Sequence, residues 1–94
     1  MIDRVLAIET IVSNPAVRGG RPIIAGTGIM VSDIAAYTSF QGMTPDDLAV
    51  QLGLTLGQVH AALAYYYDHQ AEIDAEIRAN RAEAEALLKQ LGDE

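Results

Sequence analysis

The sequence predicts a mainly α-helical fold with a short N-terminal β-hairpin, a homeodomain-like helix-turn-helix bundle and a long C-terminal helix. Short β-branched runs separated by glycines in the first third of the chain are typical of hairpin strands. Closely spaced helix start signals follow, and neither glycine nor proline occurs between Gln58 and Leu91. We therefore predict a single domain, 1–94, with a hairpin arm (1–31), a helix-turn-helix bundle (32–68) and a C-terminal helix (69–94).

Composition and charge exclude several classes of protein. The 94 residues include no cysteine, which excludes disulfides, thiolate metal sites and cysteine catalysis. The N-terminus lacks a signal-peptide pattern and no run of about 18 apolar residues would span a membrane, so we expect a cytoplasmic protein that does not bind membranes. The net charge is −7, and residues 31–70 contain four acids but no lysine or arginine. This distribution suits a basic protein partner better than a phosphate backbone.

The predicted hairpin lies just before the helices. Apolar residues at 23–25 and 29–31 flank Gly-Thr-Gly at 26–28, which indicates two strands joined by a three-residue loop. The glycine-rich stretch 19–28 matches neither the P-loop nor the dinucleotide-binding fingerprint. We therefore interpret its glycines as turn residues.

The helix-turn-helix is predicted from start and stop signals. Ser32 is the predicted N-cap of a first helix that runs to about residue 41, where Gly42 ends it. Thr44, followed by proline and two acids, starts a second helix that stops at Gly53. Thr55 caps the third. A tight glycine-containing turn between two short helices is typical of a helix-turn-helix.

A DNA-binding interpretation of this unit has specific candidate residues. Gln58 and His60, near the start of the third helix, would read bases in the major groove. Arg18 and Arg21 would contact phosphate, as a basic patch doubled in a dimer. Alternatively, these arginines pair with carboxylates on the protein's own surface. The unit itself carries no cation, although cations supply most non-specific affinity for DNA.

The third helix has no obvious end in the sequence. If unbroken to Leu91, it would be about 54 Å long, which a chain of this size cannot bury. Either it breaks near residues 69–70 or its second half packs on another chain, and we expect a homodimer. An asparagine in such a seam, here Asn80, can fix register and oligomeric state. The apolar positions recur every three or four residues, at Leu56, Val59, Leu63, Tyr66, Ile73, Ile77, Ala84, Leu87 and Leu91.

Enzyme chemistry has little support in the sequence. His60, Asp68, His69 and Glu72 do not form a three-ligand set with metal-binding spacing. No triad, lysine-based or paired-carboxylate arrangement stands out. We therefore predict a protein that is not an enzyme and has no catalytic residue, metal or cofactor.

The most specific motifs of the chain are Asn14-Pro15, Gly19-Gly20-Arg21-Pro22-x-Ile24-x-Gly26-Thr27 and Ala61-Ala62-Leu63-Ala64-Tyr65-Tyr66. Together with the helix-turn-helix, they closely resemble domain-of-unknown-function family 433 over roughly residues 8–77. Many members continue Gly-Thr-Arg-Ile-Pro-Val, whereas this chain has Gly28 in place of the arginine. The resemblance implies a hairpin leading into a homeodomain-like bundle. It also implies an antitoxin of a bacterial toxin–antitoxin pair, whose partner is a PIN-like ribonuclease.

The sequence is compatible with three hypotheses about function. The first is an antitoxin whose acidic C-terminal helix masks the basic surface of a PIN-like toxin, and which also autoregulates its operon. The second is a stand-alone DNA-binding regulator that uses the contacts described above. The third is a structural homo-oligomer. The partner-binding residues expected under the first hypothesis are Glu72, Glu76, Glu83, Leu87 and Leu91.

Overall fold

The structure is a computed structural model that describes residues 2–4, 6, 8 and 10–92. Parts of the predicted arm (1, 5, 7 and 9) and the last two residues of the predicted C-terminal helix lie outside these residues. A single 3₁₀ turn, Arg18–Gly20, lies between the two strands. The prediction of a mainly helical fold with a short N-terminal hairpin is confirmed. The elements are β1 (Ile11–Val12), β2 (Ile23–Ile24), α1 (Val31–Phe40), α2 (Pro45–Leu52), α3 (Leu56–Asp68) and α4 (Gln70–Gly92).

The hairpin pairs differently from the prediction. Strand β2 pairs with β1, antiparallel, with Ile11 opposite Ile24. The predicted partner, 29–31, contributes only an isolated bridge between Ile23 and Met30. The tight 26–28 loop brings the chain back beside β2, but α1 begins at Val31, so this strand is cut short. Strand β2 thus lies between β1 on one side and Met30 on the other. In this position Ile23 and Ile24 are almost fully buried.

The predicted N-cap of α1 is wrong. The cap is Met30, which makes no side-chain hydrogen bond, because the chain enters the helix directly from the bridge to β2. Ser32 instead lies inside the first turn and is 1% exposed. Its hydroxyl oxygen accepts a hydrogen bond from Asn80 Nδ2 at 3.3 Å. The serine that looked like a helix start therefore joins α1 to α4.

The start and stop signals of α2 and the start signal of α3 are confirmed. Thr44 Oγ1 accepts from the backbone N–H of Asp47 at 3.1 Å. Gly53 ends α2 in the left-handed conformation, with φ of 68°. Thr55 and Gln58 form a reciprocal capping box at the start of α3. These local signals set the two helices close together across a short turn.

The apolar rhythm from Leu56 onward belongs to two helices. The break is at His69, whose φ and ψ of −131° and 39° are not helical. Its ring stacks on that of Tyr65, with centroids 4.0 Å apart and planes 16° from parallel. Its backbone N–H donates to the carbonyl oxygens of Tyr65 and Tyr66. The break lets α4 turn back and pack on α1.

Helix α1 is the centre of the fold, because it contacts α2, α3 and α4. The molecule is nevertheless elongated, measuring 66 × 28 × 24 Å. The reason is that the distal half of α4, which we define as residues 81–92, extends beyond the body with every residue exposed. The buried core consists of Ile24, Val31, Ile34, Ala35, Leu48, Val59, Ala62, Tyr66, Ile73 and Ile77.

Candidate partner-binding surface on α4

Three rows of side chains run along α4. Since consecutive residues in an α-helix differ by about 100°, residues three or four apart share a face. The core row is Ile73, Ile77, Asn80, Ala84, Leu87 and Leu91. The acidic row is Glu72, Glu76 and Glu83, each immediately before a core-row residue. The groove row is Asp74, Arg78, Arg81, Glu85 and Leu88, each immediately after one. The acidic and groove rows therefore flank the core row on opposite sides.

The core row changes its environment halfway along the helix. Ile73 and Ile77 are 0% and 8% exposed in the body. Leu87 and Leu91, on the same row, are 56% and 60% exposed. Full burial of one leucine side chain stabilises a protein or a complex by about 1.5–3 kcal/mol. Neighbouring exposed leucines are therefore typical of an interaction site. The core row thus packs α4 against the body at one end and presents an uncovered apolar surface at the other.

The three glutamates of the acidic row have different surroundings. Glu72 is exposed. Glu76 is half-buried, and among the described residues its Oε2 atom has no hydrogen-bond partner. Glu83 pairs with Arg21, with Oε1 3.5 Å from Nη2. Burial, followed by the charges of Glu72 and Glu76, raises the pKa of Tyr65 above its usual 10.0. The acidic row therefore makes one side of α4 negatively charged, and Arg21 partly offsets this charge at Glu83.

The two candidate arginines make contacts within the molecule. Arg18 Nε donates to the carbonyl oxygen of Gly28 at 3.0 Å, which joins the 3₁₀ turn to the 26–28 loop. Arg21 bridges the hairpin to Glu83 on α4. Both partners of this ion pair are substantially exposed, so its contribution is about 0.2–1 kcal/mol. Arg21 therefore pairs with a carboxylate on the protein's own surface, which was the alternative to phosphate binding.

The candidate base-reading residues of α3 do not form a cationic surface. Gln58 Oε1 accepts from the backbone N–H of Thr55 at 2.8 Å, so its side chain is used in the capping box. His60 is exposed. The sequence has no lysine or arginine between Arg21 and Arg78. A phosphate-binding surface built around these two residues would lack fixed positive charge.

A groove that no sequence pattern indicated lies between the end of α1 and α4. It has a volume of about 150 Å³ and is lined by Phe40, Asp74, Ile77, Arg78 and Arg81. The guanidinium carbon of Arg81 lies 5.8 Å from the ring centroid of Phe40, a cation–π distance. Phe40, the only phenylalanine of the chain, is 59% exposed. Its exposure at a helix end depends on tertiary packing, which no local pattern predicts.

The described part of the chain offers neither a metal-binding cluster nor a membrane-spanning helix. Among residues 2–4, 6, 8 and 10–92, His, Cys, Asp and Glu side chains form no group of three that could hold a metal ion. None of the helices in this part of the chain is both long and apolar enough to cross a bilayer. A second cleft, of about 240 Å³, lies between the N-terminal segment and α3. It is lined by Ile8, Ile11, Ala61, Ala64, Tyr65 and Asp68.

Comparison with known proteins identifies the family. No match was found among the curated proteins. A crystal structure of a DUF433 member from Anabaena variabilis is similar, with 36% identity and a TM-score of 0.68 over 73% of this chain and 68% of the other. The family model of DUF433, described as a protein of unknown function, matches residues 11–66, from β1 into α3. Since this match and the structural similarity agree, the chain belongs to the DUF433 family.

Proposed function

We propose that this chain is an antitoxin that binds and neutralises a PIN-like ribonuclease in the cytoplasm, using α4. The observation that carries the proposal is the uncovered end of the core row. Leu87 and Leu91 continue the stripe of Ile73 and Ile77 out of the body and are more than half exposed. A partner that covered them would gain apolar burial without any rearrangement of the core.

Charge supports a basic partner for this surface. The acidic row lies directly beside the core row, and Glu72 at its start is exposed. A ribonuclease must present cations to the RNA backbone, so its substrate surface complements this side of α4. Occlusion of the toxin's surface requires only binding. The antitoxin itself then needs no catalytic residue.

A stand-alone DNA-binding regulator is less well supported. Reading bases with Gln58 would require its side chain to leave the capping box with Thr55. Arg21 would also have to exchange Glu83 for phosphate. Autoregulation of an operon by a toxin–antitoxin complex remains compatible with the proposal, since the toxin can supply cations that this helix-turn-helix lacks.

Growth of bacteria tests the proposal. The open reading frame adjacent to the gene is expressed alone and together with this chain, and growth is followed. We expect arrest by the neighbour, rescue by the wild-type chain, and loss of rescue in Leu87→Lys and Leu91→Lys. Val50→Lys is the matched control, because Val50 is 83% exposed on α2, away from the core row. A harmless neighbour, or full rescue by both leucine variants, would overturn the proposal.

A further inference from the structure

The groove row has an unusual order of charges. It begins in the groove beside Phe40 and continues along the exposed distal half of α4. Its spacing of 4, 3, 4 and 3 residues keeps it on one face for the whole length. Lys89 lies one turn after Glu85, next to this face. Read along the helix, the charged members of the row are Asp74, Arg78, Arg81 and Glu85, and Lys89 follows beside them.

We propose that the groove row is the interface of a homodimer in which two α4 helices pack antiparallel, with the two-fold axis between residues 81 and 82. The occupant of the groove is thus a second copy of this chain. The proposal goes beyond the antitoxin function and does not depend on it. It also replaces the seam through Asn80 as the place of self-association, because the Asn80 amide donates to Ser32 of its own chain.

Complementarity of charge fixes the register. In an antiparallel pair, each step forward along one helix is a step back along the other. If Arg78 faces Glu85 of the partner subunit, then Asp74 faces Lys89 of the partner subunit, because Asp74 lies four residues before Arg78 and Lys89 lies four residues after Glu85. Two-fold symmetry repeats both pairs, so one register creates four contacts between opposite charges.

The same register also places an apolar side chain at the groove. Leu88, which is 68% exposed, falls opposite residue 75 of the partner subunit. That position lies one residue after Asp74 and two before Ile77, both of which line the groove. Leu88 is therefore brought to the Asp74 and Ile77 end of the groove, which Phe40 also lines. This one geometry would cover two large apolar side chains that are exposed in the single chain, Phe40 of α1 and Leu88 of α4.

A second copy fits better than an unrelated partner because four of the five charged residues of this face are complementary to their own reverse. The signs of residues 74, 78, 85 and 89 are negative, positive, negative and positive. Reversed, each position meets the opposite sign. A parallel pair in register would instead put each like charge opposite itself, which is unfavourable. Arg81 is the exception, because it lies beside the axis and close to Arg81 of the partner subunit. Its guanidinium is held over Phe40 of its own chain.

Disulfide cross-linking tests the geometry directly, because the chain has no cysteine of its own. In the proposed dimer, two copies of residue 81 are offset by only about 1.5 Å along the helix axis, whereas two copies of residue 88 are about 20 Å apart. We expect Arg81→Cys to form a disulfide-linked dimer on oxidation and Leu88→Cys to remain unlinked. Linking of both variants would indicate a parallel pair, and linking of neither would exclude this helix pair; either result overturns the proposal.

Charge exchange in the intact chain provides the second test. Light scattering of the wild type should give twice the 10.1 kDa chain mass at high concentration. We expect Arg78→Glu and Glu85→Arg each to weaken the dimer about tenfold or more, and the double exchange to restore it. Circular dichroism checks that each variant is folded. A monomeric wild type, or single variants that dimerise normally, would overturn the proposal.

Growth rescue separates this proposal from the antitoxin function. The toxin-binding surface was assigned to Leu87 and Leu91, whereas the dimer uses Leu88 and the charged residues around it. We therefore expect Leu88→Lys to abolish the dimer and keep growth rescue, and Leu91→Lys to do the reverse. A wild-type chain that is monomeric, together with loss of rescue in Leu88→Lys, would assign the groove row to a different protein and overturn the dimer.

Discussion

The phenolic hydroxyl of Tyr66 donates a hydrogen bond of 2.7 Å to Asp74 Oδ1 across the break between α3 and α4. Tyr66 is 4% exposed and belongs to the core, while Asp74 lies at the wall of the groove. The contact therefore fixes the angle at which α4 leaves α3. It also links the position of the groove row to the packing of the core.

Loss of this hydrogen bond should make stability less dependent on alkaline pH. The hydrogen bond to Asp74, followed by burial, raises the pKa of Tyr66 above its usual 10.0. Well below pH 10, Tyr66 is protonated in both the folded and the unfolded state, and its full contribution to stability is present. Above pH 10 the unfolded state loses the proton first, so the free energy of unfolding falls as the pH rises through the folded-state pKa. We expect this decline, measured by urea unfolding between pH 8 and about 11, to be shallower in Tyr66→Phe. Tyr67→Phe, at a residue that is 64% exposed, should retain the wild-type slope.

The two halves of α4 should contribute very differently to stability. Ile73 is fully buried, so Ile73→Ala should lower the free energy of unfolding by about 2–5 kcal/mol. Leu91→Ala, at a residue that is 60% exposed, should change it by less than about 0.5 kcal/mol in dilute solution. Chemical denaturation measures both values. A large loss in Leu91→Ala at concentrations where the chain is monomeric would contradict the exposed position of the distal half.

Hydrogen exchange should reveal the same boundary along the helix. The backbone amides around Ile73 and Ile77 lie against α1 and should be protected, whereas those of residues 81–92 should exchange rapidly in dilute solution. Raising the protein concentration should slow exchange in residues 81–89, which the proposed dimer covers. Protection of the distal half that does not change with concentration would contradict this expectation.

Gln58 should be more important for folding than for base recognition. Its carboxamide oxygen and backbone N–H are both used in the capping box with Thr55. Gln58→Ala should destabilise the chain by about 0.5–1.5 kcal/mol, as measured by thermal or urea unfolding. Gln58→Glu preserves the acceptor and should remain close to wild type. Equal stability of all three proteins would show that the cap contributes nothing.

The Arg21–Glu83 pair should contribute little and be sensitive to salt. Arg21→Ala should reduce stability by about 1 kcal/mol or less, and the difference should shrink between low salt and 0.5 M salt because both side chains are exposed. Urea unfolding at two ionic strengths measures this. Arg4→Ala, at an exposed residue near the N-terminus, is a matched charge control. A loss that persists at high salt would indicate that Arg21 acts through packing.

Local signals were predicted well because they depend on neighbouring residues alone. Thr44, Gly53 and Thr55 specify the ends of α2 and α3 through contacts within a few residues. The pattern Thr-x-x-Gln at 55–58 could also have indicated that Gln58 belongs to a cap. By contrast, Ser32 has the composition of a cap but is buried against Asn80, which is 48 positions away.

Features that depend on distant parts of the chain were not predictable from periodicity. Strand β2 finds its partner in β1 rather than in the adjacent segment, because α1 begins too early for a longer strand. The groove joins Phe40 to Arg81, two residues that no sequence motif connects. The apolar rhythm correctly placed Ile73, Ile77 and Leu91 on one face. It could not indicate that the first two are covered and the third is uncovered.

The separation of α4 into a buried half and an exposed half affects which residues of the protein can be substituted during evolution. Residues 81–92 are exposed throughout, and Arg81 and Glu83 are the two of them that make a described contact with the body, namely with Phe40 and Arg21. Substitutions at Leu87, Leu88 and Leu91 therefore escape the constraint of folding and are judged by binding alone. The specificity of this surface is free to diverge while the hairpin and the three-helix body stay the same.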